Sequence, residues 1–383
     1  MAWCAPAWEE LQASLPKQQK AQAPWMFAEC SPKGLSPLRA LRQGLLTHWP
    51  LSVRRPATSE DILTCPSAAS TETQAQLVPL KRALKPPDLS RLLPSSISSV
   101  LLNRREERWF LEQLGGEVHT FAAEEDLRLH LLKPPKLPGQ QERPGCMILF
   151  HGGSWMVGSP SQFYQHAEVI AKDLGVAVAC CQYRLWLKHP RADVPFDAIK
   201  DAQRCVRFLH DEADVLGLDR RRFVVGGLSA GGHLAAMTAL ESGAEIGLAG
   251  LVLLNPVLDL SFSAGWRRRK PLIWLGSTLL RARYGEEALQ SKSPIHQVRN
   301  LPFPTLILHG EEDDVIPLAQ SEVFVAEMQR SHNDCKMIAF PQVNHHFLHA
   351  KPEVAERHLL ALGSFLQEAG VMHGSAGDYK CKQ

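Results

Sequence analysis

A serine flanked by glycines gives the strongest chemical signal in the sequence. Residues 227–231 read G-L-S-A-G and fit the pattern G-x-S-x-G, with Ser229 at the centre. An apolar run precedes the pattern and a segment of helical periodicity follows it, which predicts a serine raised on a tight strand-to-helix turn. Small neighbours are needed on both sides of such a turn, and the N-terminal end of the following helix favours negative charge beside the serine. The pattern therefore indicates a nucleophilic serine.

A second glycine turn comes earlier in the chain and is suited to hold negative charge. The apolar run at residues 146–150 leads directly into H-G-G-S-W at 151–155. Glycines let the backbone approach a bound carbonyl group closely, so the amides of Gly152 and Gly153 can join the Ala230 amide as an oxyanion hole. One such donor lowers a reaction barrier by on the order of 3 kcal/mol. The alternative is a plain glycine turn after a strand.

A serine hydroxyl becomes a good nucleophile only when a base accepts its proton, so a histidine and an orienting carboxylate should follow. Two later loops offer them. Acidic residues occupy positions 311–314 after the predicted strand 305–308, and histidines occupy positions 345 and 346 after the predicted strand 336–340. The carboxyl ends of parallel strands lie at one edge of a sheet, so we expect both loops beside Ser229.

The elements that position these residues alternate between strands and helices. Strands are predicted as a pair within 118–132 and singly at 146–150, 176–182, 222–227, 248–254, 305–308 and 336–340. Helices are predicted at 162–174, 196–216, 233–241, 318–329 and 353–367. The near-continuous hydrophobicity of the single strands is typical of parallel strands covered on both faces. This order predicts an α/β protein with a doubly wound, mostly parallel sheet.

Taken together, these motifs resemble a known family. The sequences H-G-G-x-W at 151–155, Y-R-L at 183–185, G-x-S-A-G-G-H-L-A at 227–235 and P-T-L-I-L-H-G-x-x-D-x-x-I-P at 304–317 occur in order, and an H-x-F follows at 345–347. They are similar to the carboxylesterase branch of the α/β-hydrolase fold, especially its acetyl- and feruloyl-esterase-like and hormone-sensitive-lipase-like groups. The resemblance covers about residues 118–366. It implies helices on both faces of the sheet and a small cap insert at about 261–290.

The resemblance also implies roles for individual residues. Ser229 corresponds to the nucleophile, and the family's spacing after Gly310 selects Asp313 over Asp314 as the orienting acid. The H-x-F pattern selects His345 over His346 as the general base. Asp259, after an earlier strand, is a less favoured acid.

The activity that follows is hydrolysis of small or medium acyl esters through an acyl-enzyme, with no metal or organic cofactor. An amidase, arylformamidase or peptidase using the same triad is the alternative. A hydrolase-like ligand-binding protein is a further, less favoured alternative.

Composition limits the other possibilities. Lys and Arg number 42 against 40 Asp and Glu, so the net charge of +2 gives no support to a nucleic-acid binder. No apolar run reaches the length of a membrane span, so we expect no transmembrane segment. Nine scattered cysteines without a C-x-x-C pair provide no zinc-ribbon or thioredoxin-type motif and favour a reducing compartment.

Three regions are predicted along the chain. Residues 1–95 are rich in Pro, Ser, Gln and Ala and are predicted to form an irregular, poorly ordered extension. Residues 96–372 form the α/β-hydrolase domain, and residues 373–383 form a C-terminal tail. Between residues 11 and 59 the extension is basic and poor in acids, which is typical of organelle-targeting segments. Organelle targeting through the extension is therefore an alternative to the cytoplasmic protein that we expect from the cysteines.

Overall fold

The structure is a computed structural model that describes residues 95–136, 142–261, 271–345 and 352–372. The predicted irregular extension, apart from Ser95, and the predicted tail lie outside the described residues. Both remain predictions. His346, the second candidate base in the sequence, also lies outside the described residues.

Within the described residues, one sheet of eight strands forms the centre of the domain. Its strands are β1 Glu117–Ala122, β2 Leu127–Leu132, β3 Cys146–Phe150, β4 Ala177–Cys181, β5 Phe223–Leu228, β6 Gly250–Leu254, β7 Thr305–Gly310 and β8 Cys335–Phe340. Their order in the sheet is β1-β2-β4-β3-β5-β6-β7-β8. β2 pairs antiparallel with β1 and with β4, and the pairs from β4 to β8 are parallel. The mostly parallel sheet is as predicted, and each singly predicted strand is found within two residues of its expected bounds.

Helices connect the parallel strands. The α-helices are α1 Ser95–Leu114, α2 Tyr164–Leu174, α3 Phe196–Asp211, α4 Ala213–Leu216, α5 Ala230–Thr238, α6 Ala244–Ile246, α7 Pro271–Tyr284, α8 Glu286–Ser291, α9 Leu318–Arg330 and α10 Pro352–Glu368. A π-helical turn, Ala239–Gly243, joins α5 to α6. Short 3₁₀ turns cover Pro160–Phe163, Arg220–Arg222 and Pro294–His296. No helix in the described part of the chain combines the length and apolar character needed to cross a membrane.

The sheet is covered on both faces, because alternate side chains of each strand point to opposite sides. In β3, Cys146, Ile148 and Phe150 join the core cluster that includes side chains of α3, α5 and α9. Met147 and Leu149 join the cluster that includes side chains of α2 and α10. Every residue of β3 is buried as a result, which explains why its sequence is apolar throughout rather than alternating.

Two regions differ from the sequence-based expectation. The sequence does not predict α1, because its apolar and polar residues are only weakly separated onto two faces and charged residues crowd its second half. The helix is nevertheless attached to the domain: Phe110 is fully buried, and Glu107 forms an ion pair with Arg128 of β2 at 2.7 Å. The predicted cap insert at 261–290 contains α7 and the start of α8, while residues 262–270 lie outside the described residues.

The loops that carry the candidate catalytic residues follow the carboxyl ends of parallel strands. The H-G-G-S-W segment follows β3, Ser229 follows β5, the acidic loop follows β7 and His345 follows β8. Parallel strands end at the same edge, so the topology gathers all four loops there.

Candidate active site

Three side chains form a hydrogen-bonded chain at this edge of the sheet. The His345 Nε2 atom lies 3.0 Å from Ser229 Oγ, and His345 Nδ1 lies 2.7 Å from Asp313 Oδ2. With its proton on Nδ1, the imidazole donates to the carboxylate and accepts the serine proton at Nε2. The Asp313 side chain is fully buried and that of His345 is 11% exposed, which keeps most water away from this chain. The structure thus brings together the three residues that the sequence proposes.

Ser229 lies on a strained turn between β5 and α5. Its backbone has φ 55° and ψ −117°, a conformation that non-glycine residues rarely adopt. The turn is held by the Ser229 N–H, which donates to Leu254 O at 2.9 Å. A Cβ atom on Gly231 would lie 1.9 Å from Phe150 O, and one on Gly227 would lie 2.4 Å from the Gly231 carbonyl. Only glycine fits at both positions, so the pattern G-x-S-x-G reflects backbone packing on both sides of the serine.

The acid is fixed by its own loop. The second oxygen of Asp313, Oδ1, accepts hydrogen bonds from the Val315 and Ile316 amides at 2.8 and 2.7 Å. Two backbone donors and one imidazole donor therefore satisfy the buried carboxylate. The other candidate acids are placed differently: Asp259 Oδ1 accepts from the backbone and side chain of Ser261, and Asp314 is exposed.

His309 is fully buried and lies next to Asp313. Burial lowers the pKa of His309, which favours the neutral ring. Its Nε2–H donates to Ile316 O at 3.0 Å, and its Nδ1 accepts from the Ser321 hydroxyl at 2.8 Å. The ring thus holds the far end of the Asp313 loop, and its Nε2 atom lies 3.5 Å from Asp313 Oδ2.

Two of the three predicted oxyanion donors keep their amides available. Among the described residues, no backbone hydrogen bond engages the N–H of Gly153 or that of Ala230, the first residue of α5. The Gly152 N–H, in contrast, donates to the side-chain oxygen of Gln162 at 2.6 Å. In this structure the Gly152 amide therefore binds Gln162, whereas the Gly153 and Ala230 amides are not engaged by the backbone. Gly153 has φ +125°, and a Cβ atom there would lie 2.0 Å from Val157 O, so the loop requires glycine.

Buried contacts stabilise the start of this loop. The Tyr183 hydroxyl donates to His151 O at 2.8 Å, and the two rings stack with centroids 4.4 Å apart. Burial lowers the pKa of His151 to about 4, so this ring is neutral near pH 7. Arg184 forms an ion pair with the fully buried Asp201 of α3 at 2.7 Å. Tyr183 and Asp201 thus join neighbouring segments of the chain through hydrogen bonds and an ion pair.

Side-chain groups suited to a metal ion are not apparent near the triad. Within the described ranges, no three His, Cys, Asp or Glu side chains are grouped in a way that could hold a metal ion.

Comparison with known protein families assigns the chain to one of them. The family model BD-FAE matches residues 134–328, just over half of the sequence. The chain belongs to the BD-FAE family. The match contains β3 to β7, with Ser229 and Asp313, but it ends before His345.

Individual proteins are also similar to this BD-FAE family member. A probable isoprenylcysteine alpha-carbonyl methylesterase of Arabidopsis thaliana is 28% identical over 232 residues, which are 55% of this chain and 47% of the relative. The esterase LipC of Mycobacterium tuberculosis is 27% identical over 233 residues, 54% of each chain. The chain therefore spans about half the length of the curated relatives it matches.

The fold is also similar to that of a solved esterase structure. The thermophilic esterase Est2 of Thermogutta terrifontis superposes with a TM-score of 0.58 at 28% identity, covering 69% of this chain and 96% of that enzyme. The expected α/β-hydrolase fold of the carboxylesterase branch is confirmed.

Sequence reasoning missed two residues that the structure places beside the triad loops. Gln162, in the turn Pro160–Phe163, holds the Gly152 amide, and Asn255 follows β6 with its side chain between two of the loops. Neither residue lies in a recognised sequence motif, so the sequence does not identify either as part of the site. Asn255 has φ 40°, but a positive φ cannot be read from the sequence.

Proposed function

We propose that this BD-FAE family protein is a carboxylic-ester hydrolase that acts through Ser229, His345 and Asp313. The observation that carries the proposal is the hydrogen-bonded chain from Ser229 Oγ through the His345 ring to Asp313 Oδ2, at 3.0 and 2.7 Å. Such a chain supplies a nucleophile, a base and the group that orients the base.

The first half of the reaction forms an acyl-enzyme. Ser229 Oγ attacks the carbonyl carbon of the ester, and its proton moves to His345 Nε2. The carbonyl oxygen becomes an oxyanion, which the Gly153 and Ala230 amides hold at the N-terminus of α5. The tetrahedral species then collapses: the bond to the alcohol oxygen breaks, and His345 gives its proton to the departing alcohol.

The second half releases the acid. Water attacks the acyl carbon while His345 Nε2 accepts a water proton, a second oxyanion occupies the same amides, and Ser229 Oγ leaves with the proton from His345. Asp313 keeps the ring oriented and stabilises the imidazolium through both halves. Since both oxygens of its carboxylate are hydrogen-bonded, this carboxylate is held in one orientation.

Small or medium acyl esters are the substrates we propose. Two solved structures of Thermogutta terrifontis Est2 are named as propionate-bound and butyrate-bound. Another is named as the enzyme phosphonylated by sarin, which indicates that fluorophosphonates are suitable probes for this group of proteins. Two relatives are named as a methylesterase and an esterase, so their names support hydrolysis of esters.

The test is covalent labelling by a fluorophosphonate, with the adduct mapped by mass spectrometry, alongside hydrolysis of p-nitrophenyl acetate. We expect the label on Ser229 and loss of both labelling and hydrolysis in Ser229→Ala. Ser242→Ala is the control, because Ser242 is a buried serine in the π-helical turn after α5. A folded wild type that neither labels nor hydrolyses the ester would overturn the proposal in favour of a ligand-binding protein. Faster cleavage of a matched anilide or formanilide would instead support an amidase or arylformamidase.

A further inference from the structure

Asn255 occupies a central position among the loops of the candidate active site. It follows β6, is fully buried, and has φ 40°. Its N–H donates to Leu308 O of β7 at 3.0 Å, while the preceding residue, Leu254, accepts from the Ser229 N–H at 2.9 Å. The backbone at 254–255 is thus bonded both to the serine turn and to the strand that leads to Asp313.

The side chain of Asn255 connects the two loops that carry the acid and the base. Its Oδ1 accepts from the Gly310 N–H at 2.9 Å, three residues before Asp313. Its Nδ2 donates to His345 O at 3.1 Å and lies 3.4 Å from Asn344 O. One carboxamide therefore contacts the backbone of the acid loop with one end and the backbone of the histidine itself with the other.

The residue type fits this task. A carboxamide presents an acceptor and a two-proton donor on one planar group, whereas a carboxylate would offer only acceptors and an alkyl side chain neither. Asparagine also tolerates positive φ better than most residues, which the backbone at φ 40° requires. Both properties are needed at once, and asparagine combines them.

We propose that Asn255 is a positioning residue for the hydrolysis reaction, setting the distance between the His345 imidazole and the Asp313 carboxylate. The inference rests on the proposed function. Asn255 has no contact with the reacting atoms; it fixes the backbone of His345 relative to Gly310, and so keeps Nδ1 within 2.7 Å of Oδ2. Misplacing a catalytic group by about 1 Å can cost about 100-fold in rate.

The chain contains a matched control. Asn333 is also buried and also bridges backbone groups with both ends of its carboxamide: Oδ1 accepts from Leu301 N–H at 2.6 Å, and Nδ2 donates to Arg299 O and Met328 O at 3.0 and 3.1 Å. It precedes β8, at the opposite end of the strands from Ser229. The two asparagines make the same kind of contacts, but only Asn255 lies between the triad loops.

The experiment compares the variants Ala, Gly and Asp at both positions in the full chain. It measures kcat and KM for p-nitrophenyl acetate, the second-order rate of fluorophosphonate labelling and Tm. For Asn255→Ala and Asn255→Gly we expect kcat and the labelling rate to fall about 10- to 100-fold, with KM changed less than about 3-fold. Asn255→Asp keeps the acceptor for Gly310 but replaces the donor to His345 O with a second carboxylate oxygen, so the link to His345 is lost and kcat should fall by a similar factor. The three Asn333 variants should lower Tm to a similar extent and keep kcat within about 3-fold.

Each outcome decides between the alternatives. Equal losses of kcat in the two series, or none in either, would overturn the positioning role while leaving the hydrolase intact. An inactive, unlabelled wild type would overturn the proposed function and this inference with it. If the Ala and Gly variants of Asn255 do not fold, the near-isosteric Asn255→Asp decides: wild-type kcat there contradicts the proposal.

Discussion

The side-chain oxygen of Gln162 lies 2.6 Å from the amide nitrogen of Gly152. The sequence alone assigns that amide to an oxyanion, but here it is engaged by a residue ten positions further along the chain. Gln162 thereby fixes the glycine loop after β3 to the turn Pro160–Phe163. The amide that the sequence predicts as an oxyanion donor is thus hydrogen-bonded to Gln162 in this structure.

Replacing Gln162 tests that role. In Gln162→Ala the loop loses its anchor, and we expect kcat/KM for p-nitrophenyl acetate to fall about 10-fold, as expected when oxyanion donors are less well aligned. Gln203→Ala is the control, because Gln203 also makes a 2.6 Å side-chain hydrogen bond, to Glu241, with no contact to the loop. Unchanged or increased activity in Gln162→Ala would show that the released Gly152 amide can itself bind the oxyanion.

The role of Asp313 as the orienting acid is tested by removing its charge with little change of shape. In Asp313→Asn the carboxylate that fixes the His345 tautomer is lost, so we expect kcat to fall by about 10,000-fold. Asp314→Asn, at the exposed neighbouring position, should stay within about 3-fold of wild type. A large loss in Asp259→Asn with little change in Asp313→Asn would contradict the assignment.

The pH dependence of stability reports on buried histidines. Burial lowers the pKa of His233 to about 4; the hydrogen bond to the Lys292 backbone and the Glu241 charge oppose this shift with smaller effects. The His233 Nε2–H donates to Lys292 O at 2.8 Å, while the buried Nδ1 has no partner within the described structure. Between about pH 6.5 and 4 the unfolded chain binds a proton that the folded ring does not, so stability falls as the pH falls through this window.

Replacing His233 should make that loss smaller. Urea unfolding at pH 7 and pH 5 should show a loss of unfolding free energy on acidification that is about 2 kcal/mol smaller in His233→Gln than in wild type. His296→Gln serves as the control at an exposed site and should leave the pH difference unchanged. An identical pH difference in wild type and His233→Gln would mean that the ring titrates normally in the folded protein.

Exposed apolar side chains next to the glycine loop predict a preference for longer acyl groups. Met156, Val157, Trp186 and Leu187 are between 40% and 55% exposed, and their segments are joined by backbone hydrogen bonds from Trp186 to Trp155 and from Leu187 to Met156. We expect KM to fall from p-nitrophenyl acetate to hexanoate, since each buried methylene contributes about 0.8 kcal/mol.

Trp186→Ala should remove part of that gain, raising KM for the hexanoate about 3- to 10-fold and hardly changing KM for the acetate. Val215→Ala is the control, because Val215 is 82% exposed in α4, which precedes β5 and so lies far from the carboxyl ends of the strands. Equal effects of Trp186→Ala on both esters would contradict an acyl-binding role.

The triad loops could be predicted because each is a local pattern tied to a strand end. Ser229 is identified by the glycines around it, and the order of strands then leaves few positions for an acid and a base. The family's spacing after Gly310 selects Asp313, and in the structure its Oδ1 accepts from the Val315 and Ile316 amides while its Oδ2 faces His345. The Oδ1 contacts join residues two and three positions apart, so they constrain the local sequence pattern.

The remaining features depend on contacts between distant segments. Asn255 matters because loops 55 and 90 residues further along the chain meet at its side chain, and a single asparagine after a strand gives no sign of that. Helix α1 was missed because its attachment depends on a few contacts, such as Phe110 and Glu107 with residues near β2. Packing between segments, rather than local preference, determines both.

The close approach of Gly231 to Phe150 also bears on how the site can move. The first turn of α5 lies against the end of β3 with no room for even one additional carbon atom, and Gly227 is similarly confined. Elements in backbone contact of this kind shift together, so Ser229 and the glycine loop behave as one rigid block. The histidine loop is confined in the same way: a Cβ atom on Gly310 of β7 would lie 2.3 Å from Val343 O, and the Val343 side chain is buried in the core. Close backbone contact therefore fixes both Ser229 and the start of the histidine loop to the sheet.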